Sequence, residues 1–179
     1  MGPARSPGRR REAGQALAEF AIAAVPVLLL LLGIIQFALI YNSQVGLTNA
    51  IRDAARYGSS RDVTNVSSAQ VAANATNTLL RASLAKYISP YDANAAATSA
   101  CYVQGADGTS PGADPAFVTV TAAYNHPLIV PLIGAILDGL DGTPDDNAYR
   151  ITVTTELRVD NPNEALLSVG TDPPVCNDP

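Results

Sequence analysis

The chain has 179 residues, of which 47% are hydrophobic and only 6% aromatic, with no tryptophan and a formal net charge of −5. That length accommodates one membrane anchor and one small domain. The acidic balance argues against nucleic-acid binding, since nothing is there to neutralise phosphates. The charge is unevenly spread, however: residues 1–14 hold Arg5, Arg9, Arg10 and Arg11 against Glu12 alone, and the remainder is net acidic.

Directly after this basic tip, Ala21 to Ile40 reads AIAAVPVLLLLLGIIQFALI, 20 residues without a charge. As a helix it spans about 30 Å, the thickness of a bilayer hydrocarbon core. Five successive leucines, Leu28 to Leu32, cover every face of a helix, which a small soluble domain has no means of burying. Positive flanks stay in the cytoplasm, so the pattern predicts an inside N-terminus, a span near residues 21–41 and an external domain beyond residue 42. Cleavage as an ordinary secretory signal is disfavoured, because the apolar run is long and Tyr41-Asn42-Ser43-Gln44-Val45 offers no Ala-x-Ala site. Pro26 lies within the span, where a kink is expected. Leu128–Leu137 (LIVPLIGAIL) is too short to span and reads as core or membrane-surface packing.

The junction between the basic tip and the span is GQALAEF, Gly14 to Phe20. Glu19 stands at the mouth of an apolar helix, where a carboxylate is costly unless compensated. If the chain were cut after Gly14, the new ammonium group on Gln15 would lie one turn from Glu19, near the positive end of the helix dipole. An interfacial Glu, partly solvated, is the plainer reading of the same residue. A glycine, four residues, a glutamate and an aromatic ahead of an apolar run resembles the processing site of type IV prepilin-like proteins, in the form found in the Tad (tight adherence) branch. Together with the polar continuation AIRDAARYG (Ala50–Gly58), the stretch is similar to the TadE-like family, with a TadF-like protein as a close variant. The resemblance implies cleavage between Gly14 and Gln15 by a prepilin peptidase, and a role for Glu19 and Phe20 in setting subunit register.

Helical periodicity continues past the span through Leu47, Ala50, Ile51, Ala54, Ala55 and Gly58. An unbroken helix from Gln15 to Tyr57 would be about 65 Å long. Candidate N-caps in residues 62–69 precede a second helical stripe, Val71, Ala75, Leu79, Leu80, Leu84, Tyr87 and Ile88, which Ser89-Pro90 closes. Residues 91–116 read as a loop. Phe117–Tyr124 and Arg150–Val159 alternate as strands and are expected to pair antiparallel. Cys101 and Cys176 are the only cysteines. In an exported domain an even pair implies a disulfide.

Sites for chemistry are sparse. His126 is the only histidine; it precedes a proline in an expected turn and reads as structural or solvated. Asp138, Asp141, Asp145 and Asp146 cluster but lack the ligand spacing and closing Glu of a calcium loop. The expectation is thus an α+β protein: a basic cytoplasmic leader over 1–14, a transmembrane and amphipathic helix over 15–58, and an extracytoplasmic domain over 59–179 with a second helix and a few antiparallel strands. It is not expected to be an enzyme or to hold a metal or cofactor. Its expected partners are the lipid bilayer and, by the resemblance, a prepilin peptidase, Tad platform proteins and pilin subunits, with no nucleic acid or small-molecule substrate. The competing reading is an uncleaved, signal-anchored binding domain unrelated to filaments.

Overall fold

The computed structural model describes residues 8–104, 116–130, 134, 136–137, 139, 147–160 and 174–178. One helix dominates it: α1, Gly8–Ser59, 52 residues long with Pro26 inside it. The helix starts within the basic N-terminal tip, ahead of Gln15, and ends where Gly58-Ser59-Ser60 places small residues. There the hydroxyls of Ser59 and Ser60 donate to the carbonyls of Arg56 and Tyr57. At a rise of about 1.5 Å per residue, α1 is about 78 Å long.

Two halves of α1 live in different surroundings. Leu17, Phe20, Ile22, Val25, Val27, Leu28, Leu30, Leu31 and Leu32 are all exposed. From Gly33 onward a buried stripe runs through Gln36, Ile40, Ser43, Leu47, Ala50, Ile51, Ala54, Ala55 and Gly58 at three- and four-residue spacing. This is the period by which one face of a helix meets a neighbour.

The second helix, α2 (Val66–Tyr87), starts at Asn65, whose side chain accepts from Ser68 N while Ser68 Oγ accepts from the Asn65 amide. This reciprocal cap satisfies two donors that a helix start leaves orphaned. The buried face of α2 is Ala69, Ala72, Ala73, Thr76, Asn77, Leu80, Ser83 and Leu84; of the expected stripe, Leu80, Leu84 and, just past the helix, Ile88 are buried, while Val71 is 70% exposed. Small residues face α1 because the two helices approach closely. A Cβ added at Gly46 would come within 2.6 Å of the Tyr87 carbonyl oxygen, and one at Gly58 within 3.1 Å of Thr76 Oγ1.

Four antiparallel strands complete the α+β fold in the order β3-β2-β1-β4, with β1 Ala96–Gln104, β2 Ala116–Pro127, β3 Ala148–Arg158 and β4 Val175–Cys176. The expected pairing of the two alternating segments holds, from Phe117 opposite Arg158 to Tyr124 opposite Ile151. The loop reading of residues 91–116 fails for Ala96–Gln104, which pairs with β2 along its whole length and with β4 at Cys101 and Tyr102. Its sequence, AATSACYVQ, is poor in β-branched and aromatic residues, so the flanking strands supply what local propensity does not. Ala100, Tyr102, Val118, Val120, Ala122, Tyr124 and Ile151 lie in one buried core with the inner faces of α1 and α2. The end of α1 is tied to the sheet by Tyr102, whose hydroxyl donates to the Gly58 carbonyl at 2.8 Å, and by the Asp160 amide donating to the Ser59 carbonyl at 2.9 Å.

Candidate functional site

The residues singled out in the sequence fall at three places along α1. At its N-terminal end, Gly14 through Phe20 are helical and exposed, with no neighbour within 4 Å of a Cβ built on Gly14. Gln15 and Glu19 share one face: Gln15 Nε2 donates to Glu19 Oε1 at 3.0 Å. The i, i+4 spacing therefore puts a donor on residue 15 in reach of the Glu19 carboxylate. Phe20 is 71% exposed beside them. The Gly14–Gln15 peptide lies within helical backbone, and a protease must open such a segment to reach it. Glycine weakens the helix there by about 1 kcal/mol relative to alanine.

In the middle of α1, residues Gly14–Ser59 contain one stretch long and apolar enough to cross a membrane, with a mean hydropathy of 2.6 over its best window. Its large side chains point outward on every side, which fits a single-pass membrane protein and not a helix buried in its own domain.

The third place lies near the C-terminal end of the apolar stretch. Gln36 is buried there, and its Oε1 accepts from the Ile129 amide at 2.9 Å. Two turns further on, Ser43 Oγ and His126 Nδ1 are 3.0 Å apart, both buried. His126 is the penultimate residue of β2 and not part of a turn, which corrects that expectation. Alternation along β2 aims it inward, as it does Val118, Val120 and Tyr124. Burial lowers its pKa below the ordinary 6.5, and its Nε2 has no partner among the described residues. With its proton on Nδ1, facing Ser43 Oγ, a neutral ring leaves only a lone pair at Nε2, whereas an imidazolium would bury an unpaired charged N–H. The sequence offered no signal for this Gln36–Ile129 and Ser43–His126 clasp, because the partners are 93 and 83 residues apart.

On the far side of the domain, Cys101 in β1 faces Cys176 in β4, with the sulfurs at the disulfide distance of 2.06 Å. Around this pair the C-terminal segment is held by Gln70 Nε2 donating to the Cys176 carbonyl, the Ala100 amide donating to Asn177 Oδ1, and Asn74 bonding Asp178 through both amide atoms. No group of three or more His, Cys, Asp or Glu side chains suited to a metal occurs among the described residues. The carboxylates Asp138, Asp141, Asp145 and Asp146 lie outside the described residues.

No curated protein and no solved structure matches the chain. A family model does, over residues 14–56, and its description is TadE-like protein. The match begins at Gly14, covers Glu19, the apolar stretch and the start of the helix–domain packing, and ends three residues short of the end of α1. The anchor helix of this chain carries the TadE-like pattern from Gly14 to Arg56.

Proposed function

We propose that the protein is a minor, non-enzymatic pseudopilin-like subunit of a Tad-type pilus or secretion machine. A prepilin peptidase removes the basic leader, residues 1–14, on the cytoplasmic side of the membrane. The helix then anchors the subunit, and the domain from residue 59 onward stands outside the cytoplasm. Its partners are the Tad platform proteins and the pilin subunits beside which it initiates, primes or caps the filament.

The observation that carries this reading is the TadE-like match that opens at Gly14, with residue 15 and Glu19 on one exposed face one helical turn apart. After cleavage, the ammonium group of Gln15 would pair with the carboxylate of Glu19, in the same subunit or a neighbour, and so set the register. Gln15 and Glu19 are themselves exposed, which leaves this face open to a neighbouring helix.

Intact mass and N-terminal sequencing of the protein purified from membranes test it. A start at Gln15 supports prepilin-type processing. A start at Met1 would make the protein a signal-anchored binding domain, and a start near residue 45 would mean ordinary secretion. Gly14→Ala sharpens the test, because a Cβ there meets nothing within 4 Å. The fold should tolerate it, so accumulation of the uncut form would report recognition by the peptidase. Glu19→Ala should leave the protein in the membrane and abolish assembly; normal piliation in that variant would remove the register role.

A further inference from the structure

The clasp at Gln36 has a consequence for where the domain sits. If Ala21–Ile40 fills the hydrocarbon core, Gln36 lies four residues from its end, about 6 Å inside the boundary. The Ile129 amide bonded to it shares that depth. Buried packing of α1 already begins at Gly33, so the domain overlaps the last eight residues of the apolar stretch rather than starting above it.

The segment that makes this overlap suits such a place. Leu128, Val130 and Leu137 turn inward and are buried, while Ile129 and Ile136 are 67% and 62% exposed. On α1, Ile34, Ile35 and Phe37 are exposed at the same level as Gln36, so Ile129, held to Gln36 by its amide, extends an apolar surface that the helix already presents. Non-helical backbone survives at membrane depth only when its polar groups are satisfied. Among the described residues the Ile129 amide is taken by Gln36, the Leu128 amide by the Asn147 carbonyl, the Leu128 carbonyl by Asn147 Nδ2, and the Gly134 amide by the Val130 carbonyl. Gly134 packs closely on Leu128: a Cβ there would already lie 3.3 Å from Leu128 Cβ.

The geometry points to a membrane foot: Ile129 and Ile136 dip into the leaflet on the domain's side, and their occupant is lipid acyl chain. This rests on the reading of α1 as a membrane span. The foot fixes the height and rotation of the domain on its anchor, because Gln36 and Ser43 then hold it at two successive points on one face of the helix.

The test uses the full-length chain in nanodiscs of phosphatidylcholine and phosphatidylglycerol, with single bimane labels at Ile129→Cys, Ile136→Cys, Leu30→Cys and Val71→Cys. All four side chains are exposed, so the labels should leave the near-UV circular dichroism unchanged. The expected result is loss of emission with nitroxide lipid and protection from aqueous iodide at residues 30, 129 and 136, with the reverse at residue 71. Lipid quenching at residue 30 alone, with residues 129 and 136 behaving like 71, would overturn the foot and leave the span standing. No lipid quenching at residue 30 would remove the span and the foot together. Protection of 129 and 136 from both quenchers would mean that a protein neighbour covers them, and would overturn the lipid assignment.

Discussion

Gly46 is the point where the crossing of α1 and α2 is tightest, and Gly46→Ala measures how rigid that crossing is. The new Cβ would sit 2.6 Å from the Tyr87 carbonyl oxygen, 3.1 Å from the Tyr87 carbonyl carbon and 3.2 Å from Ile88 Cγ1. The first two are backbone atoms at the end of α2, held by the Ile88 amide donating to the Leu84 carbonyl, so no side-chain rotation relieves the clash. Reaching ordinary contact requires the helices to part there by roughly 0.8 Å, which a close-packed core resists. Alanine gains about 1 kcal/mol over glycine in a helix interior, while overpacking costs typically about 1–3 kcal/mol and more when the backbone must move. The expected net loss is about 1–2 kcal/mol. For a domain of this size that is a fall in melting temperature of roughly 4–10 °C. The assay is thermal unfolding of the full chain in detergent micelles, followed by near-UV circular dichroism. Gly58→Ala should cost less, because its Cβ meets the side-chain atoms of Val118 and Thr76 at 3.0–3.2 Å. Gly14→Ala should cost nothing. A melting temperature for Gly46→Ala equal to or above that of the parent would refute the reasoning, since it would mean that the crossing opens freely.

The remaining expectations concern the domain. Cys176→Ser should lower stability by about 4 kcal/mol, the loop-closure value for cysteines 75 residues apart; reductant in a denaturant titration should reproduce it in the parent and leave the variant unmoved. Leu80→Ala, at a fully buried site, should cost about 2–5 kcal/mol, whereas Val71→Ala, on the exposed face, should stay within about 0.5 kcal/mol. The folded pKa of His126 lies below 6.5, so the unfolded chain takes up the proton first. The stability this residue contributes is therefore complete above about pH 6.5 and declines as pH falls from there toward the folded pKa. His126→Gln should flatten that decline in urea titrations between about pH 7 and 5, and an unchanged slope would count against the buried neutral ring.

Much of this protein can be read locally. Twenty uncharged residues define an apolar helix whatever the rest of the chain does, because length and hydropathy alone decide whether a segment matches a bilayer. The Gly14–Phe20 pattern, the helix end near Gly58 and the alternation of β2 and β3 are likewise written in neighbouring residues, since each depends on a period or a spacing within one element. Other features are decided by residues far apart in the chain. Ala96–Gln104 is a strand because β2 and β4 flank it, not because its alanines and serine favour one. The face of α2 that is buried is set by how closely α1 approaches at Gly46 and Gly58, which turns Ala72, Ala73 and Thr76 inward and leaves Val71 in solvent. The clasps of Gln36 on Ile129 and Ser43 on His126 join an anchor helix to the far end of β2 and the residues just past it, 93 and 83 residues away. Hydrophobic pattern specifies which surfaces must be covered, but not which residues cover them. That choice follows from the register of close-packed elements, which exists only once the chain has folded.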